Sequence, residues 1–307
     1  MSDSNNQKAE PFERISHFAL ALDPIHVGTG GYRLGRVDMS IVREPGTNLP
    51  KIPGTSIAGA CRAYAAMQED GKYPNCAGQK NHCGKSDCPI CVTFGFSKGT
   101  QGSFQGLAQF SDMRLILFPV HSLAGPVWVT CPEVLKDFSS NLSQVEGDIK
   151  VRKAKGVAVS GRLNLGWLML DVENGDLVLD GKLEEIPPEI LNRTVLVTNK
   201  MFGHLVNDNL EVRTSVSIDP ETGAASDGAL FTYEALPRST VLALDVIVSD
   251  PKYFKINGQA PLSGNRQTVI QTVTKGLNLF ESLGIGGMST RGMGRMRIIN
   301  PSSGGSA

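Results

Sequence analysis

Apolar and polar positions alternate through the first half of ISHFALALDP (residues 15–24), the period of two that a half-buried strand requires. A glycine-broken stretch, HVGTGGYRLGRVDMSIVREPGTNLP, follows, with a short strand signal at VDMSIV. In PGTSIAGACRAYAAMQED the period changes. Ile57, Ala60, Cys61, Tyr64 and Met67 recur at helical spacing, and Thr55 or Ser56 can cap the helix start. Residues 70–91, rich in polar residues, Gly and Cys, interrupt the pattern as an insertion. LAQFSDMRLILFPVHS (107–122) returns to strand character; residues 139–162 are polar and then basic, and LNLGWLML (163–170) is apolar again. Within the long stretch 199–240 the centre reads as a hairpin: RTSVSID, a turn around PETGAASDG, then ALFTYEAL. VLALDVIVSD is a strong strand. TVIQTVTKGLNLFESLG sets Ile270, Val273, Leu277 and Phe280 on one helical face over 268–283, and MRIIN is the last short strand.

Without its insertions the chain reads strand–helix–strand early and strand–helix–strand late. That is the split βαβ layout of a ferredoxin-like α+β fold. The expected organisation is a mobile lead-in over 1–14 and one domain over 15–300, with insertions at 70–92, 139–162 and about 199–240, then a disordered tail at 301–307.

Composition adds little to this picture except by exclusion. At 307 residues and 40% hydrophobic the chain can bury a proper core. No apolar run approaches the roughly 20 residues that cross a bilayer, and MSDSNNQKAEPFER lacks the apolar segment of a signal peptide. A cytoplasmic protein with no membrane partner is expected. Thirty acids balance thirty bases, so any nucleic-acid contact must come from local clusters.

Four of the six cysteines crowd into sixteen residues: Cys76, Cys83, Cys88 and Cys91. In a reducing compartment that favours metal over disulfides, and four soft ligands suit tetrahedral zinc; buried reduced thiols are the alternative. CPIC is a good half-site. The other half is loosely spaced, so His82 could replace Cys83. Four ligands leave no open position for water, so the site reads as structural. Cys61 and Cys131 stand apart as ordinary buried residues.

SLGIGGMSTRGMGRMRIIN (282–300) holds Gly284, Gly286, Gly287, Gly292 and Gly294 with Arg291, Arg295 and Arg297, and no acid. Nucleotide-binding loops place their glycines after a strand and before a helix; here a helix precedes and a strand follows, so the negative end of the helix faces the loop. A dinucleotide or P-loop site is excluded on polarity. Two readings stay open: backbone amides and arginines suited to a run of phosphates, or a glycine helix cap and a loose turn. The early loop likewise joins Gly28, Gly30, Gly31 and Gly35 with His26, Arg33 and Arg36, around a lone acid, Asp38. That carboxylate either pairs with Arg36 or Arg33 or caps a turn, or it lies beside a bound polyanion to orient a hydroxyl or hold a divalent metal.

Taken together, HVGTGG…LGRVDMSI, NLPKIPGTSIAGACRAY, CPICVTFG, FSDMRLILFPVHSLAGPVWVTCPEVL, DGALFTYEALPRST and GIGGMSTRGMGRMRI resemble the RAMP superfamily. More narrowly they resemble the repeated backbone subunit of type III CRISPR effector complexes. RLILFPVHSLAGPVWVTCPEVL is most like the Cmr (type III-B) branch, and CPICVTFG is also like Csm and type III-D relatives. The blocks cover most of residues 15–298.

This resemblance implies an RRM-like palm with inserted fingers and a β-hairpin thumb over about 212–236. Copies would stack into a helical filament along a CRISPR RNA guide, with a complementary target RNA and other subunits as further partners. The implied RNA contacts are His26, Gly28, Arg36, Ser56, Arg62, Lys153, Lys155, Gly284, Gly286, Gly287, Arg291, Gly292, Gly294 and Arg295. Relatives often carry lysine where Ala58 stands, so one contact is lost or moved to Arg62 or to KVRKAKGVAVSGR (150–162). Members of this kind cleave target RNA with a divalent metal (Mg2+ or Mn2+), and the acid responsible falls on Asp38. The attacking oxygen would be the RNA's own 2′-OH, which accounts for the lack of a Ser-His-Asp or paired-carboxylate set. A non-catalytic guide scaffold is the alternative. A zinc-dependent enzyme is remote, because four thiolates close the coordination sphere.

Overall fold

The computed structural model describes residues 10–30, 37–78, 81–97, 102–139, 145, 147, 149–225 and 230–299. Strand β1 (Phe12–Ala21) leads to β2 (Lys51–Ile52), helix α1 (Gly54–Met67) and helix α2 (Pro89–Phe94). Short strands β3 (Phe96–Ser97), β4 (Ser103–Phe104) and β5 (Ala108–Phe110) precede β6 (Met113–Val120), β7 (Val127–Thr130) and α3 (Pro132–Leu135). Then come β8 (Lys150–Lys153), β9 (Arg162–Leu165), β10 (Leu168–Asp176), α4 (Pro188–Leu191), β11 (Thr194–Leu196) and α5 (Asn199–Asp208). The hairpin strands β12 (Glu211–Ser215) and β13 (Phe231–Ala235) are followed by β14 (Val241–Ser249), α6 (Arg266–Asn278), α7 (Phe280–Leu283) and β15 (Met296–Ile299). No described helix is long and apolar enough to cross a membrane.

The chain divides into two compact units. The larger comprises His17–Pro53, Met113–Leu244 and Phe280–Ala307; the smaller comprises Met1–Ser16, Gly54–Asp112 and Asp245–Leu279. β1 and β14 each contribute to both.

In the larger unit the strands run in the order β15-β1-β14-β6-β7-β11-β8-β10-β9. Ranked by chain position, the first four stand 4-1-3-2, the ferredoxin-like order expected from the pattern. β15 lies antiparallel on β1 (Phe18↔Ile299), and β6 antiparallel on β14 (Leu117↔Val241). Five more strands extend the sheet. Among them is β8, KVRK of the basic stretch, so part of the expected 139–162 insertion is sheet: Val151 is fully buried and anchors it. Phe18, Leu117, Leu135, Leu183, Ile186, Leu196 and Val241 form the core behind the sheet. β12 and β13 pair antiparallel as a separate ribbon (Glu211↔Ala235, Ser215↔Phe231), where a hairpin was expected; part of its turn, 226–229, lies outside the described residues.

In the smaller unit α1 packs on α6 so closely that a side chain on Gly276 would collide with the Cys61 carbonyl and sulfur. β5 pairs with the second half of β14 (Phe110↔Val246). α1 is not capped by Thr55 or Ser56. The Gly54 amide instead donates to Asp112 Oδ1 at 2.8 Å, and this breaks the expected strand 107–122 into β5 and β6. Two further boundaries move: β1 starts at Phe12, inside the expected lead-in, and the helix expected over 268–283 divides at Leu279.

Candidate active site and metal centre

Strand β13 organises the early loop. Alternation sends Phe231, Tyr233 and Ala235 into a cluster with Met293, Met39 and Met288, while Thr232 and Glu234 project from the other face. The Thr232 amide and hydroxyl both donate to Asp38 Oδ2, at 2.7 and 2.9 Å, and the Asp38 amide donates back to Thr232 Oγ1 at 3.1 Å. One turn of pleat away, Glu234 accepts from the Ile41 amide at 2.9 Å and from both terminal nitrogens of Arg43 at 2.5 and 2.9 Å. Arg43 Nε also donates to Asn207 of α5. The Glu234 carbonyl accepts from His26 Nδ1 at 2.7 Å.

VDMSIV, expected as a strand, is held by isolated bridges at Met39↔Tyr233 and Gly28↔Ile41 and by these side-chain bonds. Alternating anchors on β13 substitute for a continuous ladder.

Asp38 is exposed, and its carboxyl is held below the usual carboxylate range by the Thr232 amide and then the Thr232 hydroxyl. It is anionic at neutral pH. Its second oxygen, Oδ1, has no hydrogen-bond partner among the described residues. A carboxylate with a lowered pKa accepts protons poorly, so this group suits holding a cation or orienting a hydroxyl better than acting as general base. Arg33 and Arg36, considered as its partners, lie outside the described residues, and so does the expected RNA contact at Arg36.

His26, an RNA contact implied by the resemblance, is a buried strut. Its Nδ1 carries the proton, because the partner is a carbonyl, and a side chain on Gly28 would meet Nε2 at 3.0 Å. The glycine-rich loop docks on the same segment. Gly287 N–H donates to the His26 carbonyl and Gly294 N–H to that of Pro24, both at 2.9 Å, and a side chain on Gly286 (φ 88°) would collide with the His26 carbonyl oxygen. Gly284 and Gly294 are buried against each other, with amides bonded to Phe280 and Pro24. They shape the loop and offer no amide to a ligand, contrary to expectation; Gly286, Gly287 and Gly292 remain at the surface.

The arginines divide in the same way. Arg295 grips Asp23 through two bonds at 2.6 and 3.1 Å, which lowers the Asp23 carboxyl, and Arg297 pairs with Glu281. Arg291 alone of the three has no carboxylate partner among the described residues; it sits over the Phe231 ring at 5.9 Å. Lys155 is exposed, whereas Lys153 is half-buried within β8 and its neighbour Arg152 pairs with Glu173.

Of the smaller unit's expected contacts, Ser56 is half-buried on the first turn of α1. Arg62 is diverted: Nε donates to the Cys76 carbonyl at 2.7 Å, and Nη2 donates to His82 Nδ1 at 2.9 Å. It braces the cysteine stretch. His82, so engaged, is not among the grouped ligand atoms. The Sγ atoms of Cys76, Cys83, Cys88 and Cys91 all lie within 4.8 Å of one another, with Cys91 at 3.7 Å from both Cys76 and Cys83. Tetrahedral zinc with bonds of about 2.3 Å sets sulfur–sulfur edges of about 3.8 Å, so the four thiols fit that ion. Cys88 caps α2, with Pro89 at the first helical position, and its sulfur accepts from the Cys91 amide at 3.5 Å. Cys61 and Cys131 are buried apart; burial pushes the Cys131 thiol up to about 11.

Residues 19–297 match the model of the RAMP superfamily. Over 298 residues the chain is 26% identical to the CRISPR system Cmr endoribonuclease Cmr4 of Pyrococcus furiosus, covering 90% of this chain and 92% of that one. A Csm3 endoribonuclease of Methanothermobacter thermautotrophicus is 36% identical over 81 residues, 26% of this chain and 31% of the relative. Among solved structures, a type III-B Cmr-beta complex bound to cognate target RNA contains a chain with TM-score 0.66 and 16% identity, covering 94% of this chain and 97% of that one. A crystal structure of Cmr4 gives TM-score 0.61 and 21% identity, covering 94% and 100%. With this match spanning most of its length, the chain belongs to the RAMP superfamily.

Proposed function

We propose that this protein is a guide-RNA-binding backbone subunit of a type III effector complex and cleaves the bound target RNA at Asp38. The observation that carries the reading is the exposed, anionic Asp38, fastened to β13 of the hairpin, with Oδ1 unpartnered among the described residues. The endoribonuclease names of its relatives support the reaction class. Copies of the chain would line the guide, each hairpin bending the guide–target duplex at its own interval.

The chain's part in the chemistry is positional. A kinked target strand brings a ribose 2′-oxygen in line with its neighbouring phosphorus; the O2′–P bond forms, the P–O5′ bond breaks, the 2′ proton passes to solvent, and the leaving O5′ takes a proton from solvent. The products are a 2′,3′-cyclic phosphate and a 5′-hydroxyl. Asp38 Oδ1 would hold Mg2+ or Mn2+, hard ions that take oxygen ligands, and such an ion would offset charge on the phosphate. β13 fixes Asp38, while His26 and Glu234 fix the loop around it. Zinc on the four cysteines would be structural.

The test is target cleavage by the assembled complex carrying Asp38→Ala: bound target should stay whole. A scaffold reading, with Asp38 only pinning the loop, draws on the same three Thr232 bonds. Wild-type complex that leaves bound target intact in Mg2+ and in Mn2+ would select it.

A further inference from the structure

A stack of rings runs outward from the buried core beside Asp38. His26 meets Tyr233 edge-on at 6.0 Å, Tyr233 tilts against Phe231 at 6.0 Å, and the Arg291 guanidinium lies over Phe231 at 5.9 Å. Tyr233 is buried, Phe231 half-buried and Arg291 exposed. The short turn Ser289–Arg291 is bounded by two left-handed residues, Met288 (φ 63°) and Gly292 (φ 75°), and the Arg291 amide bonds back to Met288. A bulky residue held at positive φ marks a turn whose conformation is imposed by its surroundings. Arg295 and Arg297 are neutralised by Asp23 and Glu281, whereas Arg291 has no carboxylate partner among the described residues. Phe231 directly precedes Thr232, the residue that clamps Asp38.

We propose that Arg291 and Phe231 form a stacking ledge for one unpaired nucleobase of the RNA strand, adjacent to the phosphate served by Asp38. This rests on the RNA-cleaving reading above. Arg291 then acts through its planar face and not as a point charge on phosphate. Unpaired bases stack on aromatic rings and on guanidinium planes, and guanidinium is weakly hydrated enough to give up water on one face. A base seated there fixes the ribose it is attached to, and so the line of its 2′-oxygen. Phe231 and Arg291 are positioning residues; neither touches the reacting atoms.

The test uses the assembled complex and a target RNA with 2-aminopurine on one side of the scissile phosphate, or on the other side in a second RNA. A 2′-deoxy scissile nucleotide keeps the strand whole. Wild-type complex should quench one of the two probes several-fold. Arg291→Lys should restore the fluorescence while the salt dependence of binding stays as in wild type, since charge is kept and the plane is lost. Phe231→Ala should do the same, and Phe231→Trp should quench again. On an all-ribose target, Arg291→Lys should cut roughly ten-fold more slowly, in keeping with the loss of one stacked base. Quenching retained in Arg291→Lys overturns the ledge, as does target bound by wild type with both probes bright. Failure of wild-type complex to bind target overturns the RNA reading itself, and the ledge with it.

Discussion

Asp38 and Thr232, 194 positions apart in sequence, hold each other through three hydrogen bonds: two from Thr232 to one carboxylate oxygen, and one returned to its hydroxyl. This clamp couples the loop that carries the acid to the hairpin that would bend RNA. It also sets the charge of the acid. The folded-state pKa is depressed, so the charged form is favoured above the unfolded value, and that preference disappears as pH falls through the folded value.

Thr232→Val tests the clamp. It removes the hydroxyl bonds and keeps the backbone one, so the Asp38 carboxyl should rise part of the way toward the ordinary value of about 4. In single-turnover cleavage the acid limb assigned to Asp38 should move to higher pH in the variant and lie below the usual carboxylate range in wild type. An acid limb identical in the two proteins would show that Thr232 does not tune the acid.

The Glu234–Arg43 pair is a further anchor of the loop, with side chains only 8% and 21% exposed. Removing one partner of a buried pair strands the other charge, at a cost of about 3 kcal/mol. Glu234→Ala should lower the thermal midpoint by roughly 5–10 °C and weaken cleavage, because the Ile41 and Arg43 bonds go together. Unchanged melting would mean that the loop is held elsewhere.

Gly286 and Gly292 both have positive φ, 88° and 75°, but differ in space: a side chain at 286 meets the His26 carbonyl, while none lies within 4 Å at 292. Gly292→Ala should therefore cost only the conformational penalty of about 1 kcal/mol. Gly286→Ala should cost clearly more, since the loop must lift off His26. Denaturant midpoints compare the two directly; equal losses would rule out the docking of this loop as its anchor.

Four thiols at zinc spacing predict that the purified chain carries one zinc ion and that Co2+ in its place gives the thiolate absorption of a tetrahedral site. Cys91→Ser, at 3.7 Å from two of its partners, should lose the ion and lower the melting midpoint. Metal affinity should fall as pH drops, because protons compete for the sulfurs. A metal-free chain with four reactive thiols and unaltered melting would exclude a structural metal.

The periodicities made the main elements legible: β1, α1, β14, α6 and β15 all stand where alternation or helical spacing put them, within a few residues. The cysteine set was equally plain, because ligand chemistry depends on residue type and local spacing. What the pattern hid was long-range. Nothing near Asp112 says that its carboxylate starts α1, and nothing near Asp38 names Thr232, although FTYEA does place Thr232 and Glu234 on one strand face. In the glycine loop the visible neighbours are arginines alone, so the sequence leaves open both a surface for phosphates and a helix cap with a loose turn. Asp23 and His26, which occupy Arg295 and the Gly287 amide, lie more than 250 residues upstream.

Cutting at Asp38 is tested by end-group analysis of target RNA incubated with the reconstituted complex in Mg2+ or Mn2+. Wild-type complex should yield fragments at regular spacing with 2′,3′-cyclic phosphate and 5′-hydroxyl ends, and the Asp38→Ala complex should bind the same target and leave it whole. Fragments of the same length and ends from the Asp38→Ala complex would show that another group cuts the RNA.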